Sequence, residues 1–362
     1  MHPIRINVTS ERLTYQVLIG PGLAAALPEV LRQQGITPQR LVISSAPVWR
    51  RHGRRFSGLL APRARPVLIP DGERAKTLRT VAAIYAQCQR RGLDRSAAIV
   101  AVGGGVVGDV AGFAAATYLR GIALVQVPTT LLAQVDSAIG GKVGVNLATG
   151  KNLVGAFHPP TLVACDPAVL STLPPREFRA GLFEVVKYGV IAARPLFGIV
   201  VSRLAEILDY DPDVLTRLVA DCCRIKARVV MTDERESGPR RALNFGHTVG
   251  HALEALTNYR RFRHGEAIGY GMLAAARLSV LRGTLSLEDE ARIVHLIRRM
   301  GPLPKVTDLR ASDALEAIAR DKKVVHGRLH FVLARGIGAT EIVADVRAAE
   351  LRAAMAAIGM KR

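Results

Sequence analysis

The second half of the sequence contains a row of residues that could bind a metal. Arg240, Asn244, His247, His251 and Glu254 follow one another at spacings of four, three, four and three residues. These spacings predict that all five side chains lie on one face of a single helix. One histidine on an apolar helix is more often a packed core residue, but two histidines one turn apart, in line with an asparagine and an arginine, favour a binding site.

A metal site of this kind also needs an acidic ligand, and Glu184 is the candidate. It occurs within an otherwise apolar segment, residues 180–188, which predicts a buried helix. A buried carboxylate requires a cation, which either a metal ion or Lys187, three residues later, can supply. Three protein ligands with one open position are typical of catalytic metal sites. The sequence therefore indicates a metal-dependent enzyme, with a Glu184–Lys187 salt bridge as the alternative.

A glycine-rich turn in the first half indicates a nucleotide. Gly103, Gly105 and Gly108 follow the apolar run 97–102 in the pattern GxGxxG. Such glycines let the backbone approach a pyrophosphate at a helix N-terminus, although similar turns often serve only close packing. The acid expected about 20 residues later in a standard dinucleotide fold is missing. A plain Rossmann dehydrogenase therefore fits poorly.

Polar residues elsewhere in this half predict a site for an anion. Asp71, Glu73 and Lys76 follow another strand and can contact a ribose or a phosphate, or can form a simple helix start with an acidic first turn. Residues 128–152 carry two lysines, one aspartate and two asparagines on a glycine-rich backbone. Apolar residues interleave with them, which disfavours a merely solvated loop and favours a polar anion-binding cleft.

The elements that must position these residues follow from periodicity. Residues 4–9 and 13–19 alternate apolar and polar side chains, which predicts an N-terminal hairpin. Strands and helices then alternate, which predicts a parallel α/β sheet. After residue 165 the pattern becomes mainly helical, with a helix predicted over 242–257. The fold class is therefore α/β, with a Rossmann-like nucleotide-binding domain over 1–165 and a mainly α-helical metal- and substrate-binding domain over 166–362.

The remaining composition restricts the function classes. The formal charge of +20 is compatible with nucleic-acid binding, but the arginines are scattered and lack interleaved aromatics, which favours a basic surface. Neither a signal peptide nor a run long enough to span a membrane is evident, so a cytoplasmic location is expected. Four cysteines without regular spacing are expected to be reduced. Only nine cations are lysines, and seven of these fall within the motifs described here.

Taken together, the motifs closely resemble the 3-dehydroquinate synthase family of sugar phosphate cyclases. The resemblance covers nearly the whole chain and includes residues 103–152, 184–187, 244–251, 264–266 and 321–323. It implies NAD, a divalent metal (zinc or cobalt) and a homodimer. It also implies conversion of 3-deoxy-D-arabino-heptulosonate 7-phosphate to 3-dehydroquinate and phosphate, through transient oxidation by NAD, phosphate elimination, re-reduction and intramolecular aldol closure.

The resemblance also implies roles for individual residues. The metal ligands would be Glu184, His247 and His264. The NAD contacts would be Asp71, Glu73, Lys76, Gly104, Gly105, Val106, Asp109, Thr129, Thr130, Lys142, Lys151, Thr172 and Leu173. The substrate contacts would be Arg120, Asn152, Lys226, Arg240, Asn244, His251, Lys322 and Lys323, with Lys226 and Arg240 binding the carboxylate. Catalytic roles would fall to Asp136, Lys142, Lys187, Lys226, Arg240, Asn244 and His251.

Three alternatives remain at this point. Cyclases that act on uncarboxylated sugar phosphates share the NAD and metal motifs, but have no use for both Lys226 and Arg240. A metal-dependent polyol or glycerol-phosphate dehydrogenase would release NADH and would need fewer anion-binding residues. A basic nucleic-acid-binding protein would leave Glu184 and the histidines unexplained.

Overall fold

The computed structural model describes residues 3–11, 14–36, 39–236, 238–319, 324–325 and 328–362. The strands within these ranges are β1 (Ile4–Thr9), β2 (Thr14–Ile19), β3 (Arg40–Ser45), β4 (Val67–Ile69), β5 (Ala98–Gly103), β6 (Ala123–Pro128), β7 (Lys142–Leu147), β8 (Gly150–Phe157), β9 (Leu162–Cys165), β10 (Val324–Val325), β11 (Arg328–Leu329), β12 (Phe331–Ala334) and β13 (Thr340–Val343). The α-helices are α1 (Leu23–Gln33), α2 (Ala46–Phe56), α3 (Leu78–Arg90), α4 (Gly105–Thr117), α5 (Pro175–Ala192), α6 (Arg194–Ser202), α7 (Leu204–Leu208), α8 (Pro212–Thr232), α9 (His247–Leu256), α10 (His264–Leu281), α11 (Leu287–Arg299), α12 (Ala311–Ala319) and α13 (Ala348–Ala357).

Seven strands form the main sheet, in the order β1-β2-β9-β6-β5-β3-β4. β1 pairs antiparallel with β2, and every other neighbouring pair is parallel. The predicted hairpin and parallel α/β sheet are therefore confirmed. Gly103 at the end of β5 is paired with Pro128 at the end of β6. The glycine-rich turn and the two threonines that follow β6 consequently emerge side by side at one edge of the sheet.

Both faces of the central strands of this sheet are covered, which explains why a strand such as β5 is continuously apolar. Ile99 and Ala101 of β5 pack into a core with α3, α4 and β7. Val100 and Val102 of the same strand point into a second core, which contains residues of α1 and α2. The alternation of side chains along each strand thus supplies two cores from one sheet.

The hairpin formed by β7 and β8 is a separate two-stranded sheet that periodicity did not predict. Val143 and Val145 of β7 are buried in the core beneath α4. A methyl group on Gly112 of α4 would lie 2.4 Å from Val143 Cγ1, so the glycine permits this close approach. The two lysines and two asparagines expected in a glycine-rich cleft are therefore carried on an ordered hairpin, whereas the aspartate precedes it.

The chain divides into two units, and the division differs from the expected boundary near residue 165. The first unit comprises the residues up to Pro174 together with Tyr210–Arg235, and the second comprises Pro175–Asp209 and Glu236–Arg362. α8 therefore belongs to the sheet-containing unit, because it bonds to residues that follow β6. Such a return of the chain is a long-range contact that local periodicity does not reveal.

Three helices of the second unit approach one another very closely. A methyl group on Gly265, near the start of α10, would lie 1.8 Å from the carbonyl oxygen of Ala180 in α5. A methyl group on Gly271 would lie 1.7 Å from the carbonyl oxygen of Gly246, directly before α9. Only glycine fits at both positions, so α5, α9 and α10 are in backbone contact on either side of α10.

The single helix predicted over 242–257 is wrong. Pro239–Asn244 forms a 3-10 helix, and α9 begins only at His247. Gly246 between them has φ of 78°, which is incompatible with a continuous right-handed helix. Arg240 and Asn244 therefore do not share one helical face with the histidines. The sequence spacing was compatible with one helix, but the left-handed backbone at Gly246 interrupts it.

No helix among the described residues combines the length and the apolar character needed to cross a membrane.

We predict that Gly271→Ala lowers the free energy of unfolding by about 3 kcal/mol, because α10 must move away from α9 to admit the methyl group. Thermal and denaturant unfolding would measure this. Gly198→Ala in α6 is the matched control, since this glycine is exposed and, beyond its neighbours and its own helix backbone, no atom of the described residues lies within 4 Å of the added carbon. That change should stabilise the chain by about 1 kcal/mol. Equal stabilities for the two variants would show that the helix contact carries no constraint.

Candidate nucleotide and metal sites

The turn between β5 and α4 leaves room for an anion. Gly104 precedes the helix, no side chain caps it, and its first turn contains no acid. The backbone N–H groups of this turn are thus suited to a phosphate. A methyl group on Gly104 would lie 3.0 Å from Cγ2 of Thr130, and one on Gly105 would lie 3.0 Å from Oγ of Ser137. The glycines keep this space open, and the donor set fits a dinucleotide.

A buried lysine links the neighbouring elements. Lys76 is 4% exposed, and its Nζ donates to Oδ2 of Asp109 at 2.6 Å and to the side-chain carbonyl of Asn152. Burial raises the pKa of Asp109, and the charge of Lys76 opposes that rise. A compact ammonium thus connects α4 with β8. Lys76, Asp109 and Asn152, all expected near the ligands, lie together.

The turn that contains Glu73 is fastened to the same hairpin. Asn146 Nδ2 donates to Glu73 Oε1 at 2.7 Å, and Asn146 N donates to the carbonyl of Lys76 at 2.9 Å. The backbone N–H of Asn152 donates to Asn146 Oδ1 at 2.8 Å. Asn152 itself has φ of 53°, an uncommon conformation that these bonds hold in place. Asn146 therefore fixes the positions of both Glu73 and Asn152.

The other expected nucleotide contacts surround this turn or lie on the hairpin. Thr129 is buried, and its N–H donates to the carbonyl of Gly103 at 2.9 Å. Thr130 Oγ1 accepts from the N–H of Ala133. Asp71 is exposed before the 3-10 helix Glu73–Ala75, Val106 is half-buried in the first turn of α4, Lys142 is exposed in β7, and Lys151 is half-buried in β8.

Thr172 is held by two basic residues of α2. His52 Nε2 lies 2.8 Å from Thr172 Oγ1, and Arg51 donates to the Thr172 carbonyl at 3.0 Å. Because Thr172 Oγ1 donates to the carbonyl of Val169, the histidine is the donor to Thr172. Burial, followed by the charges of nearby arginines, lowers the pKa of His52, so the ring is neutral. The carbonyl of the adjacent Leu173 accepts from the hydroxyl of Tyr210.

Asp136 lies in a π-helical turn, Ala133–Ser137, which α8 holds in place. Lys226 Nζ donates at 2.6 Å both to Asp136 Oδ1 and to its backbone carbonyl. Cys223, one turn earlier, donates to the Gln134 carbonyl at 3.3 Å. π-Helical turns are often found at functional sites. The expected catalytic aspartate and the expected carboxylate-binding lysine are thus direct partners.

Arg120 lies in an unusual loop. It has φ of 67°, and Leu119 before it has φ of 50°. Two consecutive non-glycine residues in the left-handed region are costly and are often associated with function. Arg120 is exposed, in keeping with a side chain available to a ligand or a partner.

In the second unit, α5, α9 and α10 bring Glu184, His247 and His264 together. Their potential ligand atoms all lie within 4.8 Å of one another. Nε2 of each histidine is 3.8 Å from Glu184 Oε1. Ligands about 2.1 Å from a tetrahedral zinc are separated by roughly 3.4 Å, so a small inward movement would bring all three to coordination distance.

The environment of Glu184 supports a cation at this place. The side chain is 0% exposed, and neither carboxylate oxygen has a hydrogen-bond partner among the described residues. Lys187 Nζ forms an ion pair with Oε2 without the geometry of a hydrogen bond. The salt bridge considered from the sequence thus exists, yet it leaves the acceptor capacity of the carboxylate unused. The donor set of one carboxylate and two imidazoles fits a divalent metal.

Both histidines are oriented through Nδ1. His247 Nδ1 lies 3.2 Å from the carbonyl of Phe245, and His264 Nδ1 lies 3.2 Å from Glu254 Oε2. The pKa of His264 is raised: burial, the largest influence, lowers it, but the hydrogen bond and charge of Glu254 and the charge of Glu184 outweigh burial. His251 lies beside both rings, with centroids 5.4 Å and 5.9 Å away.

Arg240 and Asn244 are presented by the 3-10 helix before α9. Arg240 is 2% exposed, which is unusual for a guanidinium and indicates a specific role. Asn244 Nδ2 donates to Glu236 Oε1 at 2.5 Å. The expected substrate contacts Lys322 and Lys323 lie outside the described residues.

Sequence reasoning assigned no role to several residues that contact expected site residues. Among them are His52, which bonds to Thr172, Glu236, which bonds to Asn244, and Glu254, which bonds to His264. Glu254 was already in line with the histidines, but its partner comes from another helix. His52 lies in an arginine-rich segment, and no motif in the sequence marked it as a site residue. No motif marked Glu236 either.

We predict that Lys76→Met weakens NAD binding and destabilises the chain by about 3–5 kcal/mol, because Asp109 loses its buried cation. Calorimetric titration with NAD and thermal unfolding would measure the two effects. Arg74→Met is the matched control, since Arg74 is exposed in the same turn. Equal NAD affinities for the two variants would remove Lys76 from the nucleotide site.

Comparison with known proteins identifies the family. The model of the 3-dehydroquinate synthase N-terminal domain matches residues 66–180, and that of the C-terminal domain matches residues 181–324. The chain is 43% identical to the 3-dehydroquinate synthase of Solibacter usitatus, over 94% of this chain and 95% of that protein. It is 47% identical to the 3-dehydroquinate synthase of Pelotomaculum thermopropionicum, over 92% and 91% of the two chains.

Two solved structures are similar over 98% of this chain and 99% of their own, each with 28% identity and a TM-score of 0.86. One is 2-epi-5-epi-valiolone synthase from Streptomyces hygroscopicus subsp. jinggangensis with NAD+ and Zn2+ bound. The other is 2-deoxy-scyllo-inosose synthase complexed with carbaglucose-6-phosphate, NAD+ and Co2+. Sequence identity over almost the entire length, together with both domain matches, shows that the chain belongs to the 3-dehydroquinate synthase family.

Proposed function

We propose that the chain is a 3-dehydroquinate synthase, a carbon–oxygen lyase that converts 3-deoxy-D-arabino-heptulosonate 7-phosphate to 3-dehydroquinate and phosphate. The observation that carries this proposal is the fully buried Glu184 beside His247 and His264, in a chain 43% identical to such an enzyme over almost its whole length. A dehydrogenase is not favoured.

The cofactors are NAD and a divalent metal, zinc or cobalt. We propose that the first unit binds NAD through the turn before α4 and through Glu73, Lys76 and Asp109. We propose that the second unit holds the metal through Glu184, His247 and His264. When bound, the metal lowers the pKa of substrate hydroxyls, and NAD accepts a hydride and later returns it.

The charges of the second unit suit an anionic polyhydroxylated substrate. The Lys187 ammonium and the Glu184 carboxylate cancel one another, and ligand histidines are neutral. A bound divalent metal would therefore leave net positive charge at this site to attract the substrate. Lys187, buried and held beside Glu184, is proposed to orient a hydroxyl group at the carbon that loses hydride. Asp136, held by Lys226, is proposed to do the same in the first unit.

The substrate carboxylate is proposed to distinguish this enzyme from the cyclases of solved structure. Lys226 and Arg240 are both nearly buried, and a buried cation gains most from an anionic partner. Asn152, Asn244, His251 and the lysines at 322 and 323 are proposed to bind the phosphate. A substrate without a carboxylate would have no use for both Lys226 and Arg240.

We further propose that the chain forms a homodimer in the cytoplasm, with Arg120 reaching the phosphate site of the partner subunit. The exposed loop that carries Arg120, with two consecutive residues in the left-handed region, supports such a role. Sedimentation of the purified protein would measure the oligomeric state.

The reaction assay tests the proposed function. With the heptulosonate phosphate, NAD and zinc, we expect phosphate to be released while the NADH absorbance stays flat, because the hydride is returned in each turnover. Removal of the metal with a chelator should stop release, and added zinc or cobalt should restore it. NADH accumulating with a simple polyol, without phosphate release, would instead identify a dehydrogenase.

We predict that Arg240→Ala weakens recognition of the substrate carboxylate by roughly 2–5 kcal/mol, chiefly as a higher KM. Arg241→Ala is the matched control, since the adjacent arginine is only half-buried. An analogue that lacks the carboxylate should be affected much less by the Arg240 change. If the analogue and the true substrate lose equally, Arg240 does not bind the carboxylate.

A further inference from the structure

The proposed reaction gives no role to Glu254, a buried carboxylate of the second unit that contacts a proposed metal ligand. Glu254 lies on α9, is 5% exposed, and places Oε2 3.2 Å from Nδ1 of His264. A buried glutamate is costly unless a polar partner compensates it. Because α9 and α10 are in backbone contact at Gly246 and Gly271, this partner is held at short range by the packing of the two helices.

The contact determines which nitrogen of His264 carries the proton. Nε2 faces Glu184 Oε1 at 3.8 Å, and Nδ1 faces Glu254. An ionised carboxylate only accepts hydrogen bonds, so Nδ1 must be the protonated nitrogen. The lone pair of Nε2 is then left to face the carboxylate of Glu184, which is the arrangement that a metal ligand requires.

His247 provides an internal comparison. Its Nδ1 lies 3.2 Å from the carbonyl of Phe245, and its Nε2 faces Glu184 in the same way. The two histidines thus have the same orientation but different partners, a neutral carbonyl in one case and a carboxylate in the other. A carboxylate accepts a stronger hydrogen bond from Nδ1 than a neutral carbonyl does. The stronger bond makes the ring more basic, so that Nε2 binds a metal more strongly.

The position of His264 gives the carboxylate a second purpose. His264 is the first residue of α10, where the helix dipole disfavours added positive charge. An imidazole that coordinates a divalent cation through its nitrogen lone pair acquires partial positive charge. Glu254 offsets both effects, whereas Nδ1 of His247, at the start of α9, lies against the carbonyl of Phe245.

We propose that Glu254 is a positioning residue, which holds His264 in the Nδ1-protonated tautomer and strengthens its bond to the metal. The proposal rests on the metal site proposed above. It assigns Glu254 to the affinity for the metal rather than to contact with substrate or NAD.

Metal affinity is the decisive measurement. Zinc dissociation constants would be obtained by competition with a chromophoric chelator for the unchanged chain, for Glu254→Gln and for Glu290→Gln. Glu290 is a matched control, a glutamate of the same unit that is 6% exposed and paired with Arg277 at 2.9 Å. We expect Glu254→Gln to weaken zinc binding roughly 10- to 100-fold and the control to leave it unchanged. Equal affinities in the two variants would overturn the proposal.

The same titration separates this proposal from the one on which it rests. If the unchanged chain binds no zinc, the proposed metal site is itself wrong. If it binds one zinc and Glu254→Gln binds it equally well, only the role of Glu254 is wrong. His251, Glu254 and His264 also have ligand atoms within 4.8 Å of one another. Two zinc ions per chain, one of them lost in Glu254→Gln, would make Glu254 a direct ligand and overturn the positioning role.

A measurement on the unchanged chain avoids any effect of substitution on folding. Long-range ¹H–¹⁵N spectra distinguish the two nitrogens of each histidine, and the His264 signals are assigned from their loss in His264→Asn. We expect Nδ1 to be protonated before and after zinc is added, with only Nε2 shifted by the metal. Protonation of Nε2 in the zinc-loaded chain would contradict the proposal.

Discussion

The buried carboxylate of Glu184 is the constraint on which the second unit depends. A charge that is completely removed from water must be compensated, and one lysine on the same helix does this only in part, because both oxygens still lack hydrogen bonds from the described residues. The two histidines complete the compensation only if a cation joins them. The helices that carry these residues must therefore approach more closely than ordinary side chains allow, and glycines at the contacts permit it. The close packing of these helices and the placement of the proposed metal ligands therefore depend on one another.

In the first unit two of the buried charges that need compensation are positive rather than negative. Lysines are rare in this arginine-rich chain, yet Lys76 and Lys226 are buried and each contacts an aspartate. A flexible stem with a compact ammonium can donate to several acceptors around one point, which a planar guanidinium cannot. Each lysine also joins segments that are distant in sequence. These two lysines thus help to hold the unit together.

Local patterns predicted the elements whose signals are local. The N-terminal hairpin, the turn from β5 to α4 and the helix around Glu184 all follow from periodicity and from glycine placement. The break at Gly246 was not predicted, because Arg240 to Glu254 have spacings that suit one helix, whereas the left-handed conformation of Gly246 is seen only in the structure. The β7–β8 hairpin was not predicted, because its glycines interrupt the pattern of side chains that indicates a strand. For the candidate sites, residue types and spacing identified the participants, whereas partners such as Glu254 for His264 depend on contacts between helices.

The return of α8 to the first unit has a consequence for synthesis. Residues 175–209 of the second unit leave the ribosome before α8 does, so the sheet is made long before the helix that holds Asp136 through Lys226. Lys226 follows Asp136 by 90 residues, so it is synthesised well after the π-helical turn. Until then the nascent chain exposes the surface that α8 later covers. Domains generally fold as units in the order of synthesis. Here the second unit begins before the first is complete, and its own synthesis is interrupted by residues 210–235 of the first. The first unit therefore cannot be completed before residues 175–209 have been made, and a chain that ends at Pro174 would lack part of the sheet-containing unit.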